Sequence, residues 1–271
     1  MNRQELAAQI KQKGSYLCIG LDTDPARIPS FLHKEKDPVF EFNRRIIDAT
    51  QDLCVAYKPN IAFYESLGPA GWESLAKTLE YIPEEQFTIA DAKRGDIGNT
   101  ADRYATTFFE QYPFDAITVA PYMGKDSVTP FLKYKNKWTI VLGLTSNEGS
   151  NDFQQLQLNN GKQLYQQVID SSKEWGNSDQ LMYVVGATKA KAFQEIRAQV
   201  PDHFFLVPGV GAQGGDLETV SRLGMNKHCG LLVNSSRGIL YAGNDANFAK
   251  AAREKALAIK NDMTEYLSKY L

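Results

Sequence analysis

The run Phe87-Thr-Ile-Ala-Asp91-Ala-Lys93-Arg-Gly-Asp96 carries the reading of the fold. It opens on a short apolar stretch and ends in charges. A run of this length, apolar and without helical spacing, reads as a strand buried on both faces, expected over 87–93. Asp91 and Lys93 stand two apart, so strand alternation puts both side chains on one face, with Ala90 and Ala92 on the other, toward covering helices. The charged pair is then expected to face inward. Asp96 falls just past the strand, in the loop.

Working outward, seven more runs of the same kind appear: 16–22, 55–60, 116–121, 138–144, 181–187, 204–210 and 229–235. Between them lie helix-like stretches at 38–51, 71–81, 98–111, 125–134, 161–175, 189–199 and 217–223, and 244–271 closes the chain. Pro38 sits at a favoured first-turn position. In the last stretch Phe248, Ala252, Ala256 and Ile259 recur at helical spacing, as in a helix packed on a core. Parallel strands need such crossovers, and eight strands with eight helices in about 250 residues is the count of a TIM (β/α)8 barrel. An open doubly wound sheet is the alternative, but it usually has fewer strands. No Pro-, Gly- or Ser-rich linker divides the chain, so one α/β barrel domain over 1–271 is expected. The longest irregular stretch, 146–160, suggests a functional loop or lid.

Composition narrows the function. The chain has 271 residues, 30 basic and 32 acidic, for a net charge of −2. The lysines at 133, 135 and 137 read as a solvated loop. Nucleic-acid binding would need a larger basic face, so an anionic ligand must be held by local groups. Cys18, Cys54 and Cys229 are too few and too scattered for a disulfide framework or a zinc site. No signal peptide is evident, and no window approaches the roughly 18 apolar residues of a membrane span. A reducing cytoplasm is the expected setting.

In a barrel the site forms where strands end and the following loops begin. The first strand ends in Asp22, the second in Lys58-Pro59-Asn60, and the third in the quoted string. Charge buried without a partner is costly, so Lys58, Asp91, Lys93 and Asp96 are expected to alternate in a neutral chain. Such a network can be purely structural; its position at the chemical face of the barrel argues for function. Strand seven runs into Pro208-Gly-Val-Gly-Ala-Gln213-Gly214-Gly215-Asp216, where glycines let backbone N–H groups approach an anion. Strand eight runs into Asn234-Ser-Ser-Arg237-Gly238, and arginine offers a planar fork to phosphate oxygens. These two loops are the usual phosphate site of the fold. His33, His203 and His228 fall at no strand end. The sequence has no metal-ligand cluster, no hydrolase elbow and neither common nucleotide fingerprint. A phosphorylated substrate, a lysine amid carboxylates and no evident cofactor point to proton-transfer or carbanion chemistry.

These residues resemble the orotidine 5′-monophosphate decarboxylase family along nearly the whole chain, most of all its longer bacterial and archaeal subgroup. The resemblance rests on Asp22, the K-P-N after strand two, D-A-K-R-G-D-I-G-N-T-A over 91–101, P-G-V-G-A-Q-G-G-D over 208–216, and S-R-G over 236–238. It implies loss of CO₂ from orotidine monophosphate to give UMP in pyrimidine synthesis, with no metal or organic cofactor, in a homodimer whose sites borrow residues across the interface. It implies that Lys93 protonates C6 and that Asp91 lies against the substrate carboxylate and holds Lys93. Lys58 would bridge Asp91 and the ribose hydroxyls, and Asp22 would bind ribose. Asp96 and Thr100 would serve the neighbouring subunit's site. Ser146, or its neighbour Thr145, would contact the pyrimidine; Glu148 stands where many relatives carry proline. Gln213 and Arg237, with Pro208 and the backbone about Gly214 and Gly238, would hold the phosphate. The rivals are a magnesium-dependent decarboxylase or aldolase of sugar phosphates sharing the D-x-K-x-x-D string, and a non-catalytic nucleotide-binding barrel protein.

Overall fold

The eight expected strands form. They are β1 (Leu17–Leu21), β2 (Ala56–Pro59), β3 (Phe87–Arg94), β4 (Ala116–Val119), β5 (Trp138–Leu144), β6 (Leu181–Val185), β7 (Phe204–Val207) and β8 (Leu231–Ser235). The computed structural model describes residues 1–188, 190–210 and 215–271. Each strand pairs in parallel with the next, and β8 returns to β1 to close the barrel. All side chains of β1, β2, β4, β6 and β7 are buried, as expected where helices cover one face and a packed interior the other.

Alternation sorts those side chains. On β2, Tyr57 turns outward, its hydroxyl 2.8 Å from that of Thr50, while Lys58 next to it lines the interior cavity. On β6, Tyr183 reaches Ser172 at 3.0 Å and Val184 faces the cavity. The tyrosine hydroxyls thus clamp the outer helices α2 (Pro38–Thr50) and α8 (Leu164–Ser172) to the barrel, and the odd-even pattern leaves the functional residues inside.

Several elements lie beyond the expected set. Helix α1 (Arg3–Lys13) precedes β1, held at its start by a capping box between Asn2 and Glu5 and ended by Gly14 at φ 61°. The amino group of Met1 meets Asp115 at 2.9 Å, and the Trp138 indole donates to the Met1 carbonyl at 2.9 Å, next to the starts of β4 and β5. This end of the barrel lies opposite the cavity. Short α3 (Ile61–Glu65) follows β2 directly, ahead of α4 (Pro69–Tyr81). The expected 98–111 helix is α5 (Gly98–Thr106) running into one π-helical turn. Only Thr129–Leu132 (α6) of the expected 125–134 helix is α-helical, after a 3₁₀ turn. The 146–160 stretch holds α7 (Ser150–Phe153). After α9 (Ala190–Gln199) and α10 (Leu217–Gly224), the four-residue α11 (Arg237–Leu240) follows β8. The closing helix α12 (Phe248–Tyr270) starts four residues later than expected. Among the described residues no helix is long and apolar enough to cross a membrane.

Candidate active site

The C-terminal ends of the strands surround a cavity of about 400 Å³, within the size range of small-molecule sites. Its floor is apolar, formed by Leu142, Val184 and Leu206 of β5, β6 and β7. Its polar wall comes from β1 to β4, and its far rim from the loops after β7 and β8.

Four charges meet in that wall. Lys58 Nζ lies 2.7 Å from Asp91 Oδ2 and 3.9 Å from Asp22 Oδ1, and Lys93 Nζ lies 2.5 Å from Asp91 Oδ1. Two ammonium groups and two carboxylates make the cluster neutral, which is how a barrel interior can hold them at all. Burial pushes the Asp91 carboxyl up, but the ammonium groups of Lys58 and Lys93 outweigh it and hold the group well below the usual carboxylate range. Burial likewise disfavours a charged Lys58, and Asp91 and Asp22 more than restore it, leaving its ammonium held above the ordinary lysine range. The two lysines differ in access. The Lys58 side chain is 5 % exposed and that of Lys93 is 51 % exposed. Lys58 is therefore a buried counter-charge, while Lys93 can meet a ligand. One buried oxygen, Asp22 Oδ1, has no hydrogen-bond partner, nor has Asn234 Oδ1 on the cavity wall.

Asp91 and Lys93 do share the cavity, but not by simple alternation. Lys93 has φ 46°, in the left-handed region, at a cost of about 1–2 kcal/mol for a residue with a side chain. The pairing of β3 with β4 runs Ala90↔Ile117 and then Arg94↔Val119. Three residues of β3 therefore stand opposite Thr118 alone, which makes a bulge. The Thr118 hydroxyl accepts the Lys93 backbone N–H at 2.9 Å and donates to Asp91 Oδ1 at 3.2 Å. On the far side Arg94 bonds the Ala92 carbonyl at 2.9 Å and pairs with Glu65 of α3.

The expected neutral chain through Asp96 does not form within the chain. The Asp96 carboxylate accepts its neighbour's backbone N–H, that of Ile97, at 2.8 Å, and it pairs with no cation among the described residues; Asp22 supplies the second carboxylate instead. The reason is local: the left-handed turn at Lys93 sends the chain away from the cavity before residue 96. Neither Asp96 nor the exposed Thr100 lines the cavity. Ser146 and Thr145 both do. Thr145 is held by Gln154, whose side chain accepts its N–H at 2.8 Å and donates to its hydroxyl at 2.9 Å. Ser146 can approach the barrel because residue 186 is glycine: a Cβ there would lie 2.7 Å from the Ser146 nitrogen.

Pro208, with Gly209 at φ 93°, and exposed Arg237 at the start of α11 form the rim. Arg237 makes no ion pair among the described residues, so its guanidinium is available to an anion. Gly238, next to it, lies outside the cavity lining. Gln213 and Gly214 lie outside the described residues. Sequence reasoning gave no role to Thr118, Asn234 and Asn147, all on the lining. Their one signal was position, two of them on strands that end at the cavity.

A closed parallel barrel with a neutral lysine–carboxylate cluster at its C-terminal face, opposite an exposed arginine on the rim, defines a (β/α)8-barrel enzyme for an anionic substrate. The family model described as "Orotidine 5′-phosphate decarboxylase / HUMPS family" matches residues 15–252, and the chain belongs to that family. It is an enzyme, a decarboxylase of pyrimidine biosynthesis. It is 57 % identical over 274 residues to the orotidine 5′-phosphate decarboxylase of Bacteroides fragilis, covering 100 % of both chains. It is 60 % identical over 272 residues to that of Christiangramia forsetii, covering 99 % of this chain and 100 % of the other. Among solved structures, OMP decarboxylase of Leishmania donovani superposes with a TM-score of 0.82 at 37 % identity, over 96 % of this chain and 100 % of that one. An orotidine-monophosphate decarboxylase structure from Toxoplasma gondii superposes at 0.84 and 37 % identity, over 97 % of both.

Proposed function

We propose that this chain decarboxylates orotidine 5′-monophosphate to UMP and CO₂ without a metal, with Lys93 as the proton donor. The observation that carries the reading is the contrast between the two lysines on Asp91: one nearly buried in the cavity wall, the other half-exposed to the cavity and 2.5 Å from the carboxylate. Breaking the bond from C6 to the carboxylate leaves an electron pair on C6. The Lys93 ammonium, fixed beside it, is complementary to that growing charge and transfers its proton to C6 as CO₂ departs. Stabilisation accelerates the step only where it exceeds that of the ground state. Asp91, kept ionised by its two ammonium partners, faces the substrate carboxylate and favours the state in which that carboxylate has left as neutral CO₂.

The other roles are those the family resemblance implies. Lys58 and Asp22, with its unpartnered buried oxygen, take the ribose hydroxyls. Ser146 takes the pyrimidine. Arg237, Pro208, Gln213, Gly214 and Gly238 take the phosphate, whose binding energy is available to order the charged cluster. Asp96 and Thr100, which do not line their own cavity, serve the site of a second subunit in a homodimer. Three buried, unpaired cysteines suit a cytoplasmic enzyme.

Turnover in D₂O tests the reaction directly. The product is UMP carrying one deuterium at C6, formed as fast in excess EDTA as without it. Activity lost to EDTA and regained with magnesium would favour sugar-phosphate chemistry instead.

A further inference from the structure

Within the bulge that displays Lys93, one side chain of the neighbouring strand, Thr118, meets both Lys93 and Asp91. We propose that Thr118 is a positioning residue for the proton donor: its one hydroxyl fixes both the backbone that carries Lys93 and the carboxylate that receives its ammonium. The inference rests on the reaction proposed above. Three residues of β3, Asp91, Ala92 and Lys93, stand opposite Thr118, so the ladder cannot satisfy all their backbone groups. The Lys93 N–H, turned by φ 46°, finds the Thr118 oxygen at 2.9 Å. The hydroxyl proton then has one direction left, toward Asp91 Oδ1 at 3.2 Å, the same oxygen that meets Lys93 Nζ at 2.5 Å. The hydroxyl is 1 % exposed with its residue, so no water replaces it at little cost. Thr118 touches the backbone of Lys93 and the carboxylate of Asp91, and its β-branched side chain is restricted at χ1. It sits on the cavity wall without a charge of its own.

The test compares Thr118→Val, which keeps shape and loses the oxygen, with Thr118→Ser, which keeps the oxygen. Thr118→Val should lower kcat by about tenfold to a hundredfold, since a displaced catalytic group costs rate rather than affinity. KM and the Kd for UMP should stay within about threefold. Thr118→Ser should recover most of the loss. A second measurement does not depend on turnover: acylation of Lys93 by an amine-reactive reagent, read by mass spectrometry, should speed up severalfold in Thr118→Val and not in Thr118→Ser, as the ammonium loses its hold on Asp91. Wild-type kcat and unchanged Lys93 labelling in Thr118→Val would overturn the proposal. So would equal losses in both variants, or a parallel loss of UMP affinity, which would mark general distortion. If the wild type does not turn over orotidine monophosphate, the reaction reading fails by itself, and the labelling still decides whether Thr118 sets Lys93.

Discussion

At the residue scale, the two lysines on Asp91 have the same charge and opposite consequences. Lys58 is 5 % exposed and hydrogen-bonded within the cluster, and Lys93 is 51 % exposed. Removing one partner from a buried pair strands the other charge and costs roughly 3–5 kcal/mol, whereas a half-exposed partner contributes about 1 kcal/mol or less. Lys58→Ala should therefore lower unfolding stability by about 3 kcal/mol or more, and Lys93→Ala by about 1 kcal/mol or less, in denaturant titrations. Equal losses would mean that both lysines are structural. The residue types of this cluster were legible in the sequence, because charges that end apolar strands must pair. What was not legible was which carboxylate completes it. Asp96 was the nearer in sequence, but Asp22 arrives at the end of β1, whose pairing with β2 sets it beside Lys58. The turn at Lys93 was equally hidden, since alternation along β3 predicts the same face for Asp91 and Lys93 without any bulge.

At the scale of elements, strands were read more faithfully than helices. Each strand is a dense apolar run, and burial on both faces writes that run into the sequence. Helix α1 escaped notice because only a few of its residues, Leu6, Ala7 and Ile10 among its apolar ones, are buried, too few for a periodic signal. Helix α11 is four residues long, below any period. Such short helices at strand ends nonetheless aim the loops of the site, and close packing between loops is where glycine matters. Gly186 follows β6 directly and lies against the loop after β5. A methyl group there would lie 2.7 Å and 2.8 Å from the Ser146 nitrogen and Cα. Gly186→Ala should push Ser146 out of place, lowering kcat/KM by about tenfold or more while overpacking costs about 1–3 kcal/mol. Steady-state kinetics beside a melting curve checks both. Unchanged kinetics would show that the position of Ser146 is not needed by the reaction.

At the scale of the whole molecule, the closed barrel explains why charge can be gathered at one end. Strands paired on both sides and clamped outward by Tyr57 and Tyr183 bring their last residues together at one end. Asp96 and Thr100 do not line this cavity. If they complete the site of a second subunit, two inactive variants must complement each other. Mixing Lys93→Ala with Asp96→Ala after dissociation and reassociation should restore up to about a quarter of wild-type activity, because half the dimers are mixed and each has one intact site. No recovery in a mixture shown to exchange subunits would place Asp96 in its own chain's chemistry.

The central claim is that Lys93, among these four charges and without a metal, carries out the decarboxylation. The most direct test follows the ultraviolet absorbance of orotidine monophosphate with purified protein in excess EDTA, beside Lys93→Ala that still binds UMP. The account predicts rapid loss of substrate with the wild type and at least a hundredfold slower loss with the variant, as for removal of a general acid contributing roughly 10²–10⁴ in rate. Turnover by the variant at the wild-type rate, or a wild type that works only when magnesium is returned, would contradict it.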